Sequence, residues 1–131
     1  MDTLTNDKQQ QRILVVDDSE DVQMLLGRLL KRAGYQMFFA GDGQTALLQA
    51  QRFHPDLILM DLSLPDMNGW DAVKQLRQMD EFQVTPIIAV TAHVSSAEKE
   101  RAIAVGCSAH IGKPFDPEIL LRSIARLLLD L

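Results

Sequence analysis

Asp17-Asp18, Asp61, Thr91 and Lys113 are the side chains of this sequence whose types could do chemistry together. Carboxylates gathered closely repel one another, so such a set is costly without a cation. Mg²⁺ suits it, because it prefers oxygen ligands and shares its coordination sphere with water and phosphate oxygens. Mn²⁺ is the natural substitute. A lysine would add a fixed positive charge, and a threonine a hydroxyl donor. Metal and ammonium together would stabilise charge on a transferring phosphoryl group while a carboxylate attacks phosphorus. Taken singly, each residue has a plainer reading. Asp17-Asp18 could be the acidic start of a helix, Asp61 a turn residue, Thr91 an ordinary strand end and Lys113 a solvated lysine before a proline.

The chemical reading requires elements that bring these residues to one place. Ile13 to Val16 is a short β-branched run that ends in Asp17-Asp18, which predicts a buried strand. Ser19 stands as an N-cap with Glu20 and Asp21 in the first turn, where the helix dipole favours negative charge. Val22, Leu25, Leu26, Leu29, Leu30 and Ala33 follow at helical spacing, and Gly34 stops the helix. The alternation repeats: a strand over Met37 to Ala40, then a helix carrying Ala46, Leu47 and Ala50. A strand over Leu57 to Met60 ends at Asp61, and its helix holds Trp70, Val73 and Leu76. Pro86 to Val90 ends at Thr91 and precedes a helix from Ala97 to Val105, closed by Gly106. A short strand from Ala109 to Ile111 leads to Lys113-Pro114, and the last helix starts near Pro117.

Strands and helices in strict alternation predict a doubly wound α/β fold of (βα)5 type, a parallel sheet covered on both faces. The strand order 2-1-3-4-5 is assigned by analogy with flavodoxin-like folds; periodicity alone does not fix it. Ligands of such sheets bind beyond the carboxyl ends of the strands, near the switch in strand order. The acidic pair, Asp61, Thr91 and Lys113 all fall at such ends.

At 131 residues, with 47% hydrophobic and 24% charged side chains, the chain has the size and composition of one globular domain. A net charge of −5 speaks against binding nucleic acid through its backbone. The single Cys107 excludes an internal disulfide and fits a reducing compartment. No apolar run is long enough to span a bilayer. The opening MDTLTNDKQQQ lacks the charge and apolar centre of a signal peptide. These features predict a cytoplasmic protein with a flexible leader over 1–11 and one domain over 12–131, with no output domain attached.

Asp17-Asp18, Asp61, Thr91 and Lys113-Pro114, with the segment MDLSLPDMNG at 60–69, resemble the receiver domains of two-component response regulators over about residues 12–129. The resemblance implies that Asp61 is the phosphoacceptor, supplied by a histidine kinase or a histidine phosphotransfer protein. It implies Mg²⁺ held by Asp18, the Asp61 side chain and the Ser63 backbone carbonyl, with Asp17 acting mostly through water. Thr91 would move toward the phosphoryl group, Lys113 would pair with it, and the Lys113-Pro114 bond would be cis. The response would be a population shift that alters a distal face.

Two features depart from the family pattern or extend it. Where many receivers carry a Tyr or Phe that rotates inward with the Thr shift, this chain has His110, whose ring nitrogens need partners when buried. Ser63 and His93, each two residues past a site residue, stand where family side chains govern water access, and His93 is assigned to gating hydrolysis. On the last helix, Leu120, Ile124, Leu127, Leu128 and Leu131 supply a core stripe. Leu121, Ala125 and Leu129 form a second row, which is either further core or a partner or self-association surface. The latter would belong to the face of helix 4, strand 5 and helix 5, where a downstream protein target would dock.

Three other classes compete. A haloacid-dehalogenase-type phosphatase would usually place a second Asp where this chain has Ser63. A flavodoxin-like FMN carrier would want a Ser-, Thr- or Gly-rich phosphate loop where it has Asp-Asp-Ser-Glu-Asp. A degenerate pseudo-receiver is the third, and the intact set of five site residues speaks against it. Within the receiver reading the chain could also be excised from a hybrid kinase, against which the start at Met1 with a polar leader favours a free-standing switch. In each receiver reading the chain is a regulator that catalyses only its own phosphoryl gain and loss.

Overall fold

The computed structural model describes residues 10–63, 69–92 and 95–129. In chain order its elements are β1 (Arg12–Val16), α1 (Glu20–Arg32), β2 (Gln36–Ala40), α2 (Gly43–Phe53), β3 (Leu57–Asp61), α3 (Gly69–Gln78), a 3₁₀ turn (Asp80–Phe82), β4 (Ile87–Thr91), α4 (Ser96–Val105), β5 (Ala109–Gly112) and α5 (Pro117–Leu129). All strand pairs are parallel, in the order β2-β1-β3-β4-β5. This is the sheet expected from the sequence. Chain order reverses between β1 and β3, and that switch point is where the acidic residues emerge.

Alternation along the strands divides the core. Leu14, Val16, Ile58, Met60, Ile87 and Ala89 face α2, α3 and α4, where they meet Ala46, Leu47, Ala50, Ala72, Val73, Leu76 and Ala102. Ile13, Val15, Leu57, Leu59, Ile88 and Val90 face the other way, onto Leu26 and Leu30 of α1 and Leu120, Ile124 and Leu128 of α5. Because β3 and β4 are buried along their whole length, their apolar runs are continuous rather than alternating.

Helix ends follow local chemistry. Ser19, Asp42 and Ser95 each accept a backbone N–H through the side chain, from Val22, Thr45 and Glu98. Such caps typically contribute about 1 kcal/mol each. Gly106 closes α4 with φ 119°, a conformation that an L side chain rarely adopts.

Two amphipathic readings are refined by the structure. Leu25 belongs to the apolar stripe of α1 by spacing, yet it is half exposed, whereas Leu26 and Leu30 are buried. At 100° per residue it lies roughly 120° around the helix from the buried pair, at the edge of the apolar arc. On α5, Leu121 packs against the core while Ala125 and Leu129 are exposed, so the second row is only partly core. Leu131 lies outside the described residues, as does most of the predicted leader.

Candidate functional site

Asp17, Asp61 and Thr91 are the buried polar or charged side chains among the described residues. All three stand at the carboxyl ends of central strands. The ladder carries Val16 opposite Met60, Asp61 opposite Val90, and Thr91 opposite Gly112, which sets the four strand ends side by side.

The two buried carboxylates are held in the same way. Asp17 takes the Ser19 N–H on Oδ1 at 2.9 Å and the Lys113 ammonium on Oδ2 at 2.8 Å. Asp61 takes the Ser63 N–H on Oδ1 at 2.9 Å and the same ammonium on Oδ2 at 3.4 Å. Asp18 is exposed, but one of its oxygens lies with one from each of Asp17 and Asp61 in a group whose members are all within 4.8 Å of one another. Hard oxygen donors in that number suit a divalent cation such as Mg²⁺.

Backbone contacts fix this arrangement. The Lys113 N–H donates to the Thr91 carbonyl at 2.7 Å, which ties the end of β4 to the residue carrying the ammonium. The Lys113-Pro114 peptide is cis. Across the site, the Gly69 N–H donates to the Leu62 carbonyl at 3.0 Å. A Cβ on Gly69 would sit 2.3 Å from the Asp61 carbonyl oxygen and 2.4 Å from the Leu62 Cα. Only glycine lets α3 start this close to the end of β3.

Burial raises the Asp61 pKa above its ordinary value; the Ser63 N–H and Lys113 oppose that rise, and the neighbouring Asp17 charge adds to it. For Lys113, burial alone would lower the pKa, but the carboxylates of Asp17 and Asp61 outweigh it and the net shift is upward. The ammonium therefore stays charged at neutral pH. A buried carboxylate facing a fixed cation, with oxygen donors for a second cation beside it, is equipped to act as a nucleophile toward an anionic group.

The family model "Response regulator receiver domain" matches residues 13–125. The chain belongs to the response regulator receiver family. It is 36% identical over 118 residues to the polar-differentiation response regulator DivK of Brucella ovis, covering 90% of this chain and 96% of that protein. Among solved structures it is similar to the chemotaxis response regulator CheY4 of Vibrio cholerae, with a TM-score of 0.86 and 35% identity, covering 91% of this chain and 99% of the other. It is also similar to the receiver domain of a sensor histidine kinase from Pseudomonas aeruginosa, described with a magnesium ion coordinated in its active site cleft. There the TM-score is 0.85 and the identity 32%, with 92% of this chain and 98% of the other covered. The receiver is thus a signalling module of the phosphoacceptor type.

Of the residues singled out in the sequence, the receiver brings Asp17, Asp18, Asp61 and Lys113 into one cluster, with Thr91 buried at the adjoining strand end. Ser63 is exposed and contributes its N–H to Asp61. His110 lies on β5 opposite Ala89, partly buried, with an Nε2 that has no hydrogen-bond partner among the described residues. His93 lies outside the described residues. Trp70 packs at the margin of the core with the Arg101 guanidinium 4.2 Å over its ring. Cys107 is buried, and burial pushes its thiol up to about 11.

Three residues with defined structural roles escaped the sequence reading, two of them beside the site. Gly69 carried a signal, as the last residue of the MDLSLPDMNG segment. Gln23 donates its side-chain amide to the Asp17 carbonyl at 2.7 Å, and nothing in its spacing marks that role. Arg77 of α3 donates to the carbonyls of Gly106 and Phe82, which ties α3 to the end of α4 and to the 3₁₀ turn.

Proposed function

We propose that this receiver is a phosphorylation switch in which Asp61 accepts a phosphoryl group from a phosphohistidine on a histidine kinase or phosphotransfer protein. An Asp61 carboxylate oxygen forms the new bond to phosphorus as the phosphorus–nitrogen bond of the donor breaks, and the departing imidazole keeps the electron pair. The observation that carries this reading is the Lys113 ammonium bridging the two buried carboxylates beside Asp18.

In this reading Mg²⁺ is held by Asp18, Asp61 and the Ser63 backbone carbonyl, with Asp17 acting through water. The magnesium described in the Pseudomonas receiver supports the assignment. When bound, the ion neutralises charge on the transferring oxygens. Lys113 then exchanges part of its pairing with Asp61 for the phosphoryl group, and Thr91 supplies a hydroxyl donor to it. The receiver catalyses these steps only on itself.

The Thr91–His110 pair passes the change on. The unpartnered Nε2 of His110 suits a ring that changes position with the state of the site. The downstream protein docks on the face of α4, β5 and α5, where Ile103, Ile119 and Leu129 are exposed; a second copy of the chain is the alternative occupant. The work is cytoplasmic, and among the described residues no helix is long and apolar enough to cross a membrane.

The test is intact mass after incubation with Mg²⁺ and acetyl phosphate. The expected result is one added phosphoryl group, absent in Asp61→Asn and absent without divalent metal. An adduct that persists in Asp61→Asn would overturn the assignment.

A further inference from the structure

Asp18 must point into the site from an exposed loop between β1 and α1, and the structure shows what holds that loop. Asp17 is anchored on its strand side by its N–H, which donates to the Ala40 carbonyl at 3.0 Å. Its carboxylate receives the Ser19 N–H, and the Ser19 hydroxyl in turn caps α1 at Val22. The Asp17 carbonyl, at the junction with Asp18, lies beyond the end of β2 and has no ladder partner. Gln23, one turn into α1, fills that gap: its amide donates to this carbonyl at 2.7 Å, while its own N–H donates to the Ser19 carbonyl at 3.0 Å.

We propose that Gln23 is a positioning residue for the acidic site, holding the Asp17–Asp18 peptide in the orientation from which Asp18 serves the cation. This rests on the Mg²⁺ reading above. The peptide joining the two acids can turn about its flanking dihedrals, and such a turn would move the Asp18 carboxylate relative to Asp61. One amide-to-carbonyl bond, made from a packed helix, removes that freedom. Partners of this kind, one step behind the ligands, typically affect metal affinity by about 10–100-fold.

A second glutamine supplies the control. Gln49 of α2 donates its amide to the Phe39 carbonyl at 3.2 Å. This is the same contact on β2, a strand that contributes no residue to the site. A merely structural role would make the two glutamines equivalent.

The experiment measures the rise in melting temperature on titrating MgCl₂ into the unphosphorylated protein, which reports metal affinity through linkage. Wild type, Gln23→Met, Gln23→Leu and Gln49→Met are compared. In Gln23→Met the Mg²⁺ concentration giving the half-maximal rise should move up by about 10-fold, and in Gln49→Met it should stay at the wild-type value. Gln23→Leu, which loses the donor without adding charge, should follow Gln23→Met and covers the case in which that variant does not fold. An unchanged midpoint in the Gln23 variants, or an equal shift in Gln49→Met, would overturn the proposal. A wild type that does not respond to Mg²⁺ at all would overturn the metal reading itself, so the two failures are distinguishable.

Discussion

Gly69 is pressed against the carbonyl of Asp61, so closely that a methyl group on its α-carbon would lie 2.3 Å from that oxygen. The neighbouring atoms are backbone and have no flexible end to swing aside. Gly69→Ala should therefore push α3 away from β3 and displace Asp61, lowering stability by roughly 1–3 kcal/mol and slowing phosphorylation together. Thermal melts and the acetyl phosphate assay check both. Wild-type values in both would show that the close approach is not required.

Charged Asp61 is a cost to the metal-free fold. Its folded pKa is raised, chiefly by burial, so the folded state binds the proton more tightly than the unfolded chain does. The cost is therefore present at neutral pH and fades as pH falls through the folded pKa toward the ordinary value of 3.8. Asp61→Asn removes it. Without divalent metal at pH 7 the variant should melt above wild type, by roughly 3–5 °C for each 1 kcal/mol relieved. The gap should close on acidification, and it should narrow when Mg²⁺ stabilises wild type alone.

His110 leaves Nε2 buried and without a partner among the described residues. A buried polar group in that state costs roughly 1–3 kcal/mol. His110→Phe fills similar space with no polar nitrogen, so it should raise the melting temperature of the unphosphorylated receiver. A lower melting temperature would mean that the imidazole has a partner which phenylalanine cannot replace.

Cys107 should be inert in the folded receiver. It is buried, and its thiol is pushed up to about 11, leaving almost no thiolate at neutral pH. Labelling with a thiol reagent should track global unfolding, with a rate that rises with denaturant. Rapid labelling in native buffer would contradict this.

Much of the site was legible because each member ends an apolar run. Met60 and Val90 are fully committed to the core, so the polar residue after each run had to stand at the rim of the sheet. The fold was legible for the same reason. What escaped depends on approach between distant segments. Leu25 has a core residue's spacing, but which arc of α1 meets the sheet is decided by the partner strands. Arg77 caps a helix end 29 residues away, and a charged residue near the end of a helix carries no mark of such a task. The 3₁₀ turn at Asp80–Phe82 buries Phe82 without any periodicity to announce it.

β2 closes one side of the sheet with the residues QMFFA, none of them charged. Its cover is supplied by other parts of the chain: Phe38 stacks on Phe53 of α2 with ring centroids 4.0 Å apart, and Gln49 occupies the Phe39 carbonyl. An apolar edge without charge is a template for further strand addition. This edge therefore stays shielded only while α1 and α2 remain docked on its two faces, and aggregation during heating should start where either helix lifts away.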